Sequence, residues 1–409
     1  MKQVIYSSEF RTFLQGVTGI ELKSDVDISA SKYWSGCQLL CHDDEWEGRR
    51  IAFIFYLVPE DWSEEDGGTL DLFECDAQGQ PRTVTESILP TWNNFLFFEV
   101  TPTSFHQVAE VLSSKQRLSI SGWFHGEPIV RPPPYIEEPL PRFNIADSKR
   151  VDISKWVHPN YLKPKIQAQI NAQFSDQSSI ELPNFLRDDK WEALSTLFER
   201  SIEAEKLDMA DEAAKASSSS ASSSSNPTTT DNDGDNKSKT VTKGDKLPFE
   251  LIGPSNRRHY ESLGRWTSPA GIPPLLAEAI DVFKSSEFAE LLGKLTGLTL
   301  QKVHSEVRRF RQGAYTLAQD NQDQHTERGL DAYYFLCPID NWDVDVGGQI
   351  TYMDEEDELA TMIPSDNAFS LVFRDVGCMK YVKYVNNEAP AERQEFTFIY
   401  WEDPASIDQ

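Results

Sequence analysis

Apolar residues along the chain come in short runs bounded by polar turns. RRIAFIFYLV (49–58) is followed by the polar loop PEDWSEEDGG, then by TLDLFEC (69–75), WNNFLFFEV (92–100) and RLSISGWF (117–124). Runs of this length, rich in aromatic and β-branched residues and flanked by Gly, Pro, Asp and Asn, predict β-strands. No long helical pattern separates them, so they predict an antiparallel sandwich or barrel. Ahead of them, SSEFRTFLQGV (7–17) has helical spacing with a serine placed to cap it. Residues 18–41 read as turn-rich connections leading into a strand. The proline-rich RPPPYIEEPLPR (131–142) reads as an extended exit.

Beyond it the period changes. Apolar positions at helical spacing predict helices over 160–174, 181–186 and 190–206. Residues 211–246 are mostly Ser, Thr, Asp, Asn and Gly, including SSSSASSSS. Such a segment buries too little surface to offset its ordering entropy and is expected to be disordered. Order resumes at Leu247 with a helix over 269–292. Strand-like segments follow: SEVRRFRQGAYTLAQD, RGLDAYYFLCPI, GGQITYMD, NAFSLVFRD, YVKYV and EFTFIYWE. The order of elements repeats that of the first part. The expected division is therefore 1–130 as a first β domain, 131–210 as linker and helices, 211–246 as insert, and 247–409 as a second β domain.

Composition narrows the classes. At 409 residues, 39% hydrophobic and 11% aromatic, the chain can bury real cores. A net charge of -27 and a pI near 4.6 argue against direct nucleic-acid binding. Five cysteines without CxxC spacing point to free thiols in a reducing compartment. The longest apolar run is too short to span a bilayer, so no membrane partner is expected. The first residues, MKQVIYSSEF, lack the apolar stretch of a signal peptide. Cytosol or nucleus is the expected location.

The candidate chemistry lies in LLCHDDEWEGRRIAFIFYLV (39–58). On a strand, His42 and Asp44 share one face while Asp43 takes the other. A His and a carboxylate are two-thirds of the 2-His-1-carboxylate facial triad of non-haem Fe(II) oxygenases. His106, after a strand and a turn, is placed to supply the second imidazole. Arg117 follows, and its planar fork suits a carboxylate such as the distal one of 2-oxoglutarate. Tyr56 can add a phenolic hydrogen bond to the same group. Singly, Tyr56 reads as core, Arg117 as a surface cation and His106 as a satisfied histidine. The ordered set His42, Asp44, Tyr56, Gly67-Gly68-Thr69, His106, Arg117 is specific where its members are not. His125 reads as a rim residue.

LLCHDDEWEGRRIAFIFYLVP, GGTLDLF, PTWNNFLFFEV, SFHQV and RLSISGWFHG with RPPPY resemble a known family. It comprises the 2-oxoglutarate and iron-dependent oxygenase domain-containing proteins with their yeast termination-and-polyadenylation relatives. These are prolyl 3-hydroxylases of a small-subunit ribosomal protein of the decoding centre. The resemblance spans nearly the whole chain. It implies a mainly β fold with flanking α, built of two double-stranded β-helix (jelly-roll) domains, the second degenerate. It also implies Fe(II) at His42, Asp44 and His106, 2-oxoglutarate at Tyr56 and Arg117, O2 as oxidant and ascorbate in support. The implied setting is cytoplasm and nucleus, with effects on translation accuracy and translation termination factors as possible partners. Family members carry a further stretch ahead of the segment that begins here at Met1, so an N-terminally incomplete catalytic domain is expected.

In the second half, YTLAQDN (315–321) places Gln319 and Asn321 at the ligand positions. Gly347-Gly348 echoes Gly67-Gly68, Lys383 falls near the place of the distal histidine, and His325 reads as a loop residue. Gln, Asn and Lys make no facial triad, so this half reads as a metal-free duplicate. The alternative reading of the chain is a truncated, non-catalytic interaction module that binds translation factors through its C-terminal domain. An oxygenase acting on nucleic acid or a small molecule is a further one, and the acidic balance counts against nucleic acid.

Overall fold

Serine caps the first long helix as its sequence suggests. In the computed structural model, which describes residues 1–46, 48–219, 241–265, 271–318, 320, 326–337 and 342–402, α1 (Lys2–Ile5) leads into α2 (Ser8–Thr18). The Ser7 hydroxyl accepts from the Phe10 N–H at 3.2 Å, and Gly19 ends the helix at φ 72°. Leu14 of α2 packs with Ile51, Phe53 and Phe124 behind the sheet that follows.

That sheet is one of two. Strands β1 (Leu22–Tyr33), β2 (Leu39–His42), β3 (Arg49–Tyr56), β4 (Leu70–Cys75), β5 (Pro81–Ile88), β6 (Phe95–Glu99), β7 (His106–Val108) and β8 (Arg117–Gly126) divide between two four-stranded antiparallel sheets. Their orders are β1-β8-β3-β6 and β2-β7-β4-β5, the two facing sheets of a double-stranded β-helix. β1 lies where turn-rich connections were expected. Its side chains are mostly polar, DISASKY near its end, because its inward positions are serines rather than large apolar residues. A hydrophobic-pattern reading cannot see such a strand.

The second half repeats the plan. It contains β9 (Phe143–Asn144), α3 (Pro164–Gln177), β10 (Ser179–Leu182), α4 (Asp188–Ser219), β11 (Glu250–Ile252), β12 (Arg258–Leu263), α5 (Pro274–Phe283) and α6 (Ser286–Thr296). Then come β13 (Leu300–Phe310), β14 (Tyr315–Thr316), β15 (Gly329–Leu336), β16 (Ile350–Met353), β17 (Glu358–Met362), β18 (Ala368–Arg374), β19 (Met379–Val382) and β20 (Arg393–Glu402). The succession β13-β20-β15-β18 in its large sheet matches β1-β8-β3-β6, and β17-β16-β19 matches β5-β4-β7.

Four expectations change here. The segment 143–210 is no linker: Trp156, Phe174, Leu194 and Phe198 share one core with Phe283, Phe369 and Phe396. Residues 181–186 are not helical, because Ser179–Leu182 pairs with β18. The helix over 269–292 is two helices, broken where the buried Ser285 hydroxyl caps α6 through the Phe288 N–H. The insert is shorter than 211–246: α4 runs on to Ser219, through the strong helix formers of ADEAAKA. Thr242, at the insert's other end, bonds Asp245 through both its side chain and its N–H, and residues 220–240, where disorder was expected, lie outside the described ones.

Residues 127–142 run extended between the barrels and are tied down at both ends. Arg131 bridges Asp43 and Glu45 at 3.3 and 3.2 Å. Farther on, buried Arg258 holds Glu137, Arg257 donates to the Tyr135 carbonyl and His304 Nδ1–H to that of Pro141. None of the five cysteines forms a disulfide, and among the described residues no helix is long and apolar enough to cross a membrane.

Candidate metal and co-substrate site

β2 and β7 pair so that His42 faces His106, with ring centroids 4.3 Å apart. Each imidazole is oriented by its own chain two residues back. His42 Nδ1 lies 2.7 Å from the Leu40 carbonyl and His106 Nδ1 2.9 Å from that of Ser104. A carbonyl only accepts, so Nδ1 carries a proton, and in the neutral imidazole the lone pair of Nε2 points inward, whereas the protonated ring donates there. Both Nε2 atoms meet Asp44: His42 at 3.5 Å from Oδ1, His106 at 3.3 Å from Oδ2. The three ligand atoms lie within 4.8 Å of one another.

The route by which Asp44 joins them differs from the strand alternation read from the sequence. β2 ends at His42, and Asp44 stands beyond it in left-handed backbone, φ 60°. Asp and Asn tolerate that region better than most residues. Asp43 takes the Arg131 salt bridge. Burial opposes charge on Asp44, but bonds from His106 and His42 hold its carboxyl well below the usual range. Burial likewise works against a charged His42; Asp44 and the Leu40 carbonyl outweigh it and raise the imidazole pKa. His125, on β8, sits 3.0 Å from Asp27 and is not part of the triad.

A cavity of about 180 Å³ extends from the triad into the barrel, lined by Tyr33, Arg117, Ser29, Ser31, Ser119 and Ser121 among others. Arg117 is 1% exposed and lies between two aromatic rings, 5.1 Å from the centre of Tyr56 and 5.4 Å from that of Tyr33. Its Nε donates to the Gly68 carbonyl at 2.7 Å. Its Nη2 and the Tyr56 hydroxyl are buried and make no hydrogen bond among the described residues. Burial lowers the Arg117 pKa, with the two tyrosines working the other way. A buried guanidinium with a spare N–H beside a spare phenol is a seat for an anion with oxygen acceptors. The serines and Tyr33 escaped the sequence reading; small polar residues at period two in DISASKY and RLSIS are the signal that could have found them.

The second barrel answers the same positions differently. The second residue after the glycine pair, Leu70 or Ile350, faces Val108 or Val382. Two residues before those valines stand His106 and Lys380. Lys380, and not the expected Lys383, therefore holds the distal-histidine position. The miscount came from YVKYV, where the register is fixed by pairing and not by spacing. Arg393 bonds the Gly348 carbonyl as Arg117 bonds that of Gly68, and lies between Phe310 and Phe335 where Arg117 has Tyr33 and Tyr56. Opposite Phe335 stands Glu395, in the place of Ser119, and it pairs with both Arg393 and Arg308. The serine positions 29 and 31 become Glu306 and Arg308, and Ala52 becomes Asp331. Large charged residues leave a cavity of only about 30 Å³. Gln319, Asn321 and His325 lie outside the described residues.

The 2OG-Fe(II) oxygenase superfamily model matches residues 28–125, and the oxoglutarate and iron-dependent oxygenase degradation C-terminal model matches 148–404. The Xenopus laevis protein named prolyl 3-hydroxylase OGFOD1 is 33% identical over 448 residues, covering 98% of this chain and 78% of its own. The Mus musculus protein of that name is 33% identical over 476 residues, covering 96% and 78%. The Ostreococcus tauri prolyl 3,4-dihydroxylase OGFOD1 is 30% identical over 455 residues, covering 98% and 82%.

The chain belongs to the 2-oxoglutarate- and iron-dependent oxygenases. It is a dioxygenase by family, with Fe(II) as metal and 2-oxoglutarate as co-substrate. The residues present fit both groups. Two imidazoles and a carboxylate on one face suit Fe(II) and leave room opposite for other ligands. The orphaned Arg117 N–H and Tyr56 hydroxyl suit a buried carboxylate.

Proposed function

We propose that this chain is a peptidyl-prolyl 3-hydroxylase acting on a small-subunit ribosomal protein of the decoding centre. His42, Asp44 and His106 would hold Fe(II), and Tyr56 and Arg117 the distal carboxylate of 2-oxoglutarate. The observation that carries this reading is the triad opening onto a cavity that ends at a buried, incompletely bonded arginine. Prolyl hydroxylation is supported by the names of the relatives. When bound, iron and 2-oxoglutarate would supply oxidising chemistry with O2, one oxygen atom going into the C–OH and the other into succinate, with release of CO2.

The chain's own part is positional. Leu40 and Ser104 fix the imidazole tautomers, and Asp44 neutralises charge on the metal. Arg117 and Tyr56 orient the co-substrate, and the barrel wall keeps water and other C–H bonds away. Ascorbate would keep the metal in its ferrous state between turnovers. The filled second barrel suits docking, and translation termination factors are its proposed partners, in cytoplasm and nucleus.

Purified chain with Fe(II), 2-oxoglutarate and ascorbate is expected to add one oxygen to a prolyl residue of the ribosomal peptide, read by mass spectrometry. His42→Ala should abolish the product and leave the circular dichroism spectrum unchanged. A folded chain that leaves the peptide unmodified would overturn the proposal.

A further inference from the structure

Counting two residues on from the paired valines Val108 and Val382 reaches Glu110 in the first barrel and Tyr384 in the second. The backbone around them is the same. A Cβ on Gly67 would meet the Glu110 carbonyl at 2.3 Å, and one on Gly347 the Tyr384 carbonyl at 1.7 Å. The next residues, Val111 and Val385, donate to Cys37 and Ala314, both at 3.0 Å. These two equivalent residues touch. The Tyr384 hydroxyl donates to Glu110 Oε2 at 3.3 Å, and the Asn387 N–H reaches both carboxylate oxygens at 3.0 and 3.1 Å. The barrels therefore meet through the same loop of each.

Glu110 is 8% exposed, and the second barrel supplies the donors to its carboxylate. Its carbonyl faces the other way and accepts the Gly68 N–H at 3.0 Å. The Gly68 carbonyl in turn accepts from Arg117 Nε at 2.7 Å. Gly67 and Gly68 have φ of 65° and 67°, a backbone region in which a glycine turn is soft unless held. Glu110 holds it, and the second barrel holds Glu110.

We infer that Glu110 is a positioning residue through which the C-terminal barrel sets the Arg117 guanidinium for the co-substrate carboxylate. This rests on the reading of Arg117 given above, and it gives the second barrel a part in the reaction of the first. A guanidinium displaced by a fraction of an ångström no longer matches a carboxylate bidentately, whereas the triad, on β2, on β7 and just beyond the end of β2, is unaffected.

The test uses the full chain loaded with Mn(II) in place of Fe(II), so that 2-oxoglutarate binds without turnover and is titrated calorimetrically. Glu110→Ala is expected to weaken 2-oxoglutarate about tenfold with Mn(II) affinity unchanged. Hydrogen exchange should show the Asn387 amide deprotected in the same variant. Glu110→Gln, whose amide oxygen can still accept from Asn387, should recover most of the affinity. Lost Asn387 protection with unchanged 2-oxoglutarate affinity overturns the inference, and so does an equal loss of Mn(II) and 2-oxoglutarate. If Glu110→Ala does not fold, Tyr384→Phe, which removes one donor to Glu110, replaces it: a smaller loss of 2-oxoglutarate affinity with Mn(II) affinity unchanged is expected, and unchanged 2-oxoglutarate affinity overturns the inference. Arg117→Ala separates the two readings. If it leaves 2-oxoglutarate binding intact, the co-substrate site itself is wrong; if it removes binding while Glu110→Ala does not, only the relay fails.

Discussion

Ser119 and Glu395 occupy one position in the two barrels, each two residues after the arginine that bonds a glycine-turn carbonyl. The serine leaves Arg117 Nη2 without a partner among the described residues; the glutamate takes Arg393 Nη2 with a carboxylate of the chain's own. Ser119→Glu should therefore install in the first barrel the self-occupied state of the second. The expected result is loss of 2-oxoglutarate affinity by at least about tenfold, equivalent to roughly 1.4 kcal/mol, with the fold retained. Ser119→Thr, which adds a methyl and no charge, should bind far more nearly as the parent does. Titration of 2-oxoglutarate into the Mn(II)-loaded variants decides.

Gly68 offers a steric route to the same arginine. Its φ of 67° disfavours any side chain, and a Cβ there would stand 2.8 Å from Arg117 Cδ. Gly68→Ala should cost about 1 kcal/mol or more in stability through the strained backbone. It should also raise the KM for 2-oxoglutarate several-fold more than it lowers kcat. A variant with unchanged KM would show that the turn does not set the guanidinium.

Asp66 makes the turn before the glycines sensitive to acid. Burial favours its neutral form, but bonds from Ser113, the Ser63 N–H and Lys115 hold its pKa down to about 2. The folded value lies below the ordinary carboxylate value of about 3.9. Its contribution to stability is thus fully present above about pH 4 and is lost as pH falls toward about 2. Asp66→Asn should lower Tm clearly at pH 6, and the difference from the parent should shrink between pH 4 and pH 2.5. A difference that stays constant over that range would exclude the ionised capping role.

Lys380 neutralises a carboxylate that has no access to water. Asp331 is 0% exposed and receives Lys380 at 2.7 Å, Tyr352 at 3.0 Å and Arg374 at 3.2 Å. Lys380→Met removes one of two cations from a buried cluster and should destabilise the chain by about 3 kcal/mol, the low end for breaking a buried pair. The accompanying Asp331→Asn change should recover part of that. Denaturant unfolding of the single and double variants measures both.

The ordered signature His42, Asp44, Tyr56, His106, Arg117 was legible because each residue's chemistry has few substitutes, whereas its geometry was less so. Asp44 reaches the histidines by a left-handed residue, a matter of φ that residue type permits but does not dictate. β1 was hidden because serines face the cavity, so the strand that builds the site looks polar. Lys380 was misplaced by three residues because pairing register depends on hydrogen bonds between β16 and β19, which no local spacing encodes. The helices of 143–210 were legible as helices, but not as part of the second domain's core, since that requires knowing which apolar faces meet. Glu110 had no signal of its own: its role arises only where two barrels touch.

The second barrel carries as side chains the charges that the first must borrow as metal and metabolite. Depriving a cell of iron or of 2-oxoglutarate would therefore strip one half of the molecule and leave the other unchanged. Any partner that reads the C-terminal face would meet the same surface in starved and replete cells alike.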